Sequence, residues 1–274
     1  MPRKTSADCP RHLFRILSRS VTPILLICIL CVFAYFAKGV TGAASAIVFN
    51  AGLLTALALG LSGGLTLLEG LYWIALADCF ASGLLGAILW RRLKLEKVTV
   101  LMLAGMLPLT VVFTLLLPTL DLRWLSLVLA LAVIGGGVYL AMRRDLPPAS
   151  ATTINRWAVP TGAMAGVLGG LFGMGGPVVF ILLSRASDDP GVFRSRTIII
   201  TNAAGIVRLI ALALTGVYTS EHLTWFGIAL PVVIASLLAG MWAHHRIKPK
   251  SFRIALGALV TLAGIGGLLR FALS

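Results

Sequence analysis

Charge is what this chain has least of. Only 12% of its 274 residues are Asp, Glu, Lys or Arg, against about 25% in a soluble domain. Acidic residues number 9 and histidines 4. His12, His222, His244 and His245 stand in no ligand spacing with an acidic partner, which argues against a metal centre. No G-x-S-x-G or H-E-x-x-H occurs, and no Lys-Ser/Thr closes a glycine run as in a phosphate loop. The chain therefore reads as no enzyme and needs no cofactor. Four cysteines give no disulfide framework. Cys28 and Cys31 form a C-x-x-C inside an apolar run, where redox work would need accessible thiols of lowered pKa. Small apolar residues fit that setting better; a membrane thiol-redox or assembly protein using this pair is the alternative reading. Cys9 and Cys79 have no evident partner in the sequence. A long polar stretch is also lacking. The longest lies around residues 147–155 and leaves no room for a soluble domain.

Apolar residues fill the space instead, at 59% of the chain and a mean hydropathy of +1.00. Uncharged runs cover residues 21–37, 39–68, 98–120, 124–142, 157–184, 222–245 and 254–269. Residues 70–90 and 197–220 join them with one acid (Asp78) and one base (Arg208) inside. A bilayer crossing needs about 20 mostly apolar residues. An all-α polytopic protein of the inner (plasma) membrane is predicted, with seven to nine transmembrane helices and the lipid bilayer as its surroundings. Trp73 with Trp90, and Trp225 with Trp242, are placed to bracket two of the spans at the interface.

A net charge of +14 does not point to nucleic acid, because the basic residues sit in short loops beside apolar runs. They cluster at the N-terminus and at residues 91–97, 143–156, 185–196 and 246–253. Glu69, residues 121–123 and residues 220–222 mark the poorly basic loops. The positive-inside bias puts all the basic loops in the cytoplasm. Arg156 and Arg185 then share a side, so the segment between them enters and returns as a re-entrant hairpin. The N-terminal charges resemble a signal peptide's start, but an uncleaved span is expected because no clean cleavage site follows. The run at 21–37 is a candidate extra span ahead of the first half.

That returning segment is the densest feature of the chain. Between Gly169 and Pro177 lie Gly170, Gly173, Gly175 and Gly176. Each glycine costs a helix about 1 kcal/mol and a proline about 3. Unwound backbone at membrane depth is tolerated where it lines a protected path. Gly162-x-x-x-Gly166-x-x-x-Gly170 also permits close helix packing. In the first half, Gly39-Val-Thr41-Gly42 can be laid on Gly173-Met-Gly175-Gly176, each followed by an apolar stretch and three hydrophobic segments. The chain thus divides into a basic segment (1–20), a first membrane repeat (21–145), a connecting loop (146–156) and a second repeat (157–274). Two related halves with broken or re-entrant glycine-rich segments are expected.

Ionisable residues inside a membrane span mark function by default. Lys38 adjoins the first break, where it suits an anion or snorkels to an interface. Asp78, with Ser82 one turn on, is a counter-charge for Lys38 or a proton carrier. Arg208 can hold an anion. Thr201 and Asn202 fall near Ala77 and Asp78 when the halves are overlaid, as packing groups or as part of a central site; Asn50 has similar standing.

The run from Gly166 to Pro177, the basic loop ending Arg194-Ser195-Arg196 and the polar Thr201-Asn202 resemble the sulfite exporter TauE/SafE family of membrane permeases. In the first half, residues 39–45 stand where that family has a denser glycine run. The resemblance spans about residues 22–271. It implies secondary transport of a small anion such as sulfite or a sulfonate, by alternating access. The expected site comprises Lys38, Gly39, Thr41, Gly42, Asp78, Gly173, Gly175, Gly176, Pro177, Thr201, Asn202 and Arg208. No nucleotide-binding motif is present, so a coupling ion (proton or sodium) or the anion's own gradient is the expected drive. A homo-oligomer is compatible with the sequence.

Overall fold

The structure is a computed structural model that describes residues 9–89, 91, 95–142, 149–186, 189–243 and 249–273. Every regular element among them is helical. The α-helices are α1 (Cys9–Thr41), α2 (Ser45–Ala58), α3 (Leu67–Leu89), α4 (Lys97–Leu116), α5 (Leu122–Met142), α6 (Ala151–Phe172), α7 (Gly176–Ala186), α8 (Pro190–Leu214), α9 (Ser220–Ala243) and α10 (Pro249–Leu273). A 3₁₀ turn, Leu117–Thr119, follows α4.

Among the described residues, six helical stretches are long and apolar enough to cross a membrane: Pro23–Thr41, Leu67–Leu89, Lys97–Thr119, Leu122–Tyr139, Gly191–Leu214 and Ser220–Ala243. Ser45–Ala58, Gly176–Ala186 and Leu256–Leu269 are apolar but shorter. Large hydrophobic side chains such as Phe33, Leu131 and Leu262 stand out from the bundle, as lipid-facing groups do. Local signals set the helix starts. Ser150 caps α6 by accepting from the Thr153 N–H, and Asp189 caps α8 by accepting from the Gly191 N–H, with Pro190 in the first turn.

The glycine-rich breaks are short. Gly42 (φ +93°) follows α1 and Gly173 (φ +71°) follows α6. A left-handed residue ends a helix, and only glycine takes that conformation cheaply. The matching positions are therefore Gly42 and Gly173, with Ser45 and Gly176 opening the next helices. This corrects the sequence register by three residues: Gly39, laid on Gly173 from the sequence, is still inside α1. Residues 21–37 are likewise part of α1 and not a separate span ahead of the break. The connecting loop also shortens, since α6 begins at Ala151.

Each break turns the chain back on itself. The Ala149 N–H donates to the Arg185 carbonyl at 3.0 Å, so α7 returns to the end at which α6 starts. Likewise Gly52 of α2 abuts Leu30 of α1, and Leu53 abuts Gly70 at the start of α3. Helix α4 runs parallel to α6: Gly162 faces Met102, Gly166 faces Met106, and Gly170 faces Thr110. Helix α1 packs on α9 through Gly39 and Gly240. Pairs α3–α8 and α5–α10 are antiparallel: Gly205 meets Cys79 while Gly86 meets Ile198, and Gly257 meets Ala141 while Gly264 meets Ala130.

These directions bring the helix ends next to four basic connections together: the end of α3, the junctions of α5 with α6 and α7 with α8, and the end of α9. The side chains at 143–148 and 244–248 lie outside the described residues. The start of α1 lies at the opposite end, beside the end of α2 and the start of α3. The five-loop grouping read from charge alone thus becomes a four-loop grouping. Trp73 is a second correction. It is 1% exposed and stacks on Phe49, with ring centroids 5.9 Å apart, so it belongs to the core and not to an interfacial belt. Trp242 is exposed as expected, and Trp90 lies outside the described residues.

Candidate functional site

The two breaks meet. The Ala43 carbonyl, in the first, faces Gly176, in the second. A cavity of about 40 Å³ opens between them. Its polar walls come from Lys38, Asp78, Thr201 and Arg208, and its floor from Gly173, Gly175 and Gly176. Ala43, Ala75, Met106, Gly169, Ala204 and Gly205 complete it with small or flexible groups.

Lys38 does not snorkel. It is 1% exposed, and its Nζ donates to Asp78 Oδ1 at 2.6 Å and to Ser82 Oγ at 2.7 Å. Ser45, the first residue of α2, donates to the same carboxylate oxygen at 2.5 Å. The break brings this hydroxyl to the ion pair because α2 starts only three residues beyond Gly42. Asp78 keeps some exposure, with 22% of its side chain open against 2% for Lys38.

Arg208 is different. It is 4% exposed, and its hydrogen bonds go to main-chain carbonyls only. Nε donates to Gly170 O at 3.2 Å, and Nη2 to Leu171 O at 3.3 Å and Leu71 O at 3.4 Å. Gly170 and Leu171 lie in the last turn of α6, and Leu71 lies in the second turn of α3. Nη1 lies over Gly173, where a Cβ would come within 2.7 Å of it. A buried guanidinium bonded only to carbonyls has its geometry fixed and its charge unneutralised.

Not every predicted site residue reaches the cavity. Gly39 packs against α9, where a Cβ would strike the Leu237 carbonyl. The Thr41 hydroxyl bonds back to Ala37 O at 2.7 Å, and Gly42 supplies the turn. Pro177 sits in the first turn of α7, where its missing N–H leaves no gap. Asn202 points its amide at Gly86 on α3, and its Oδ1 is buried without a partner. Asn50 instead ties the hairpins together, donating to Phe172 O at 2.9 Å. Ser45 and Gly205 were not singled out from the sequence as site residues. No local signal marks them, since their role depends on contacts across the fold. Cys31 is fully buried, which leaves its thiol no access for exchange. Among the described residues no cluster of His, Cys, Asp and Glu could hold a metal ion.

The glycines of the second break differ in a way that can be measured. At Gly173 a side chain is strained by φ and hits Arg208, whereas at Gly176 a Cβ has 3.5 Å to its nearest neighbour. Gly173→Ala should therefore lower transport at least about tenfold, from strain and steric cost of about 1–3 kcal/mol. Gly176→Ala should stay within about twofold of the parent, because its Cβ makes ordinary contact. Initial flux rates of both variants in proteoliposomes check this, and equal rates would contradict it.

Residues 27–266 match the sulfite exporter TauE/SafE family. The chain belongs to that family. TauE/SafE proteins are membrane transporters and not enzymes, and this chain is a multi-pass member. A curated relative, the probable sulfite/organosulfonate exporter TauE of Cupriavidus necator, is 28% identical over 197 residues, covering 70% of this chain and 73% of that protein. No solved structure matches the chain.

Proposed function

We propose that this TauE/SafE protein is a secondary transporter for a small oxyanion, sulfite or an organosulfonate, bound in the cavity between the two breaks. One observation carries the reading: Arg208 is buried at that cavity with only carbonyl partners. Lys38 and Asp78 cancel, so the three charges lining the cavity leave one net positive. A cation in low dielectric favours an anionic ligand strongly. The first turns of α2 and α7 add backbone N–H groups beside the same cavity, and helix N-termini attract negative charge. Calorimetric titration of the purified protein tests it. Sulfite and methanesulfonate should bind saturably, and neutral dimethyl sulfone should not. Equal binding of all three would contradict the reading.

The two halves, 21–145 and 157–274, are proposed to be inverted repeats that rock about the cavity in alternating access. Support comes from the packing. The α4–α6 contact is mirrored by α9–α1, and the self-paired α3–α8 and α5–α10 are antiparallel, as a two-fold axis in the membrane plane requires. The broken pairs α1–α2 and α6–α7 then act as re-entrant arms. The end holding the four basic connections faces the cytoplasm of the inner membrane. Single cysteines replacing Leu95 and Ala151 should react with an impermeant maleimide only from the cytoplasm, and those replacing Thr119 and Glu221 only from outside. Residues 95 and 151 labelling from opposite faces would break the scheme.

A further inference from the structure

The oxygen atoms around the Lys38 ammonium are those that a small hard cation would choose. Nζ is held by a carboxylate oxygen (Asp78 Oδ1, 2.6 Å), a hydroxyl (Ser82 Oγ, 2.7 Å) and, more distantly, a main-chain carbonyl (Asp78 O, 3.5 Å). Ser45 adds a second hydroxyl at the same carboxylate. Carboxylate, carbonyl and hydroxyl oxygens are the ligands of hard cations. The place is equally suggestive. Lys38 lies in the last turn of α1, and the C-terminal end of a broken helix is where a membrane transporter gathers sodium. A covalently attached cation already fills that position, and both Lys38 and Ser82 are closed to solvent.

We propose that Lys38 is a tethered cation occupying a monovalent-cation site built from Asp78, Ser82 and Ser45, so that this transporter works without sodium. The inference rests on the anion site proposed above, because the ammonium contributes to the charge balance there. It fixes one property of that site: sodium neither binds nor drives transport while Lys38 is present. The tethered charge cannot leave, so each transport cycle retains it. Shortening the side chain should uncover the site. In Lys38→Ala the Asp78 carboxylate loses its counter-ion, and a sodium ion can take the vacated position among the same oxygens.

Thermal unfolding of detergent-purified protein in sodium chloride and in N-methyl-D-glucamine chloride reads this directly, without any transported anion. The parent should show the same midpoint in both salts. Lys38→Ala should unfold at least about 3 °C higher in sodium, as binding to the native state alone requires. The neutral double variant Lys38→Met with Asp78→Asn should fold and lose the sodium response. In proteoliposomes, parent anion flux should not change when N-methyl-D-glucamine replaces sodium. A sodium-dependent parent, or a Lys38→Ala protein no more sodium-responsive than the parent, overturns the proposal. So does a Lys38→Ala protein that folds in neither salt while the double variant folds in both. Absence of anion flux in either salt would instead count against the anion site, and the unfolding arm would still decide the cation question.

Discussion

Arg208→Gln should reduce anion flux by at least about 100-fold. The size follows from the bonds available to an oxyanion in the cavity. A hydrogen bond to a charged group contributes about 1.5–3 kcal/mol, and each 1.4 kcal/mol is about tenfold in affinity. Loss of a buried charge that no acidic side chain pairs adds to this. Arg208→Lys should recover little, because an ammonium cannot reach the Gly170, Leu171 and Leu71 carbonyls together while facing Gly173. The fold itself should survive, since the substitution removes a desolvated charge and keeps an amide that can still donate to the Gly170 and Leu171 carbonyls at the end of α6. Initial-rate flux, read beside the elution profile of the purified variant, separates a binding defect from misfolding. A monodisperse Arg208→Gln protein with parental flux would remove Arg208 from the site.

The second large effect is structural. Gly162→Leu should prevent the protein from accumulating in the membrane. Helices α4 and α6 approach backbone to backbone: a Cβ at Gly162 would strike the Met102 carbonyl, one at Gly105 the Val159 carbonyl and one at Gly166 the Met106 carbonyl. Backbone cannot give way as a flexible side chain does. Overpacking costs about 1–3 kcal/mol where a core can adjust, and a leucine here meets carbonyls along a whole ridge. A loss beyond about 4 kcal/mol, the diagnostic range for a point change, is expected. Gly266→Leu is the control, because nothing lies within 4 Å of that position. Membrane-fraction yield and detergent unfolding midpoints of the two variants decide it. If Gly162→Leu behaves like Gly266→Leu, the close α4–α6 contact does not hold the bundle together.

Much of this architecture is legible in the sequence because bilayer physics restricts it. Long uncharged runs in a chain with so few charges are expected as helices, and helices occupy most of their described residues. The glycines at 162, 166 and 170 read as a packing ridge, which is how they lie against α4. The placement of Arg156 and Arg185 at one end follows from their charge alone, and the geometry agrees through the Ala149–Arg185 bond. Asp78 as the counter-charge of Lys38 is likewise where the cost of a buried ion would put it.

What escaped the sequence depends on contacts distant along the chain. Gly39 and Gly42 look alike in a string, and only the sign of φ at Gly42 marks the break. Trp73 has the composition of an interfacial residue but meets Phe49 and Phe226 across the bundle. Loop charges count residues and not paths, so they could not show that the start of α1 lies opposite the four basic connections. Ser45 looks like any small residue at a helix start until the hairpin brings it to Asp78. The carbonyl cradle of Arg208 joins α3, α6 and α8, and no local pattern encodes it.

Counterflow tests the account most directly. Proteoliposomes holding the parent protein and loaded with methanesulfonate should take up radiolabelled sulfite against its gradient. Arg208→Gln proteoliposomes, or liposomes loaded with dimethyl sulfone, should not. Uptake that is the same with all three preparations, or absent with correctly inserted parent protein, would contradict an anion site between the two breaks.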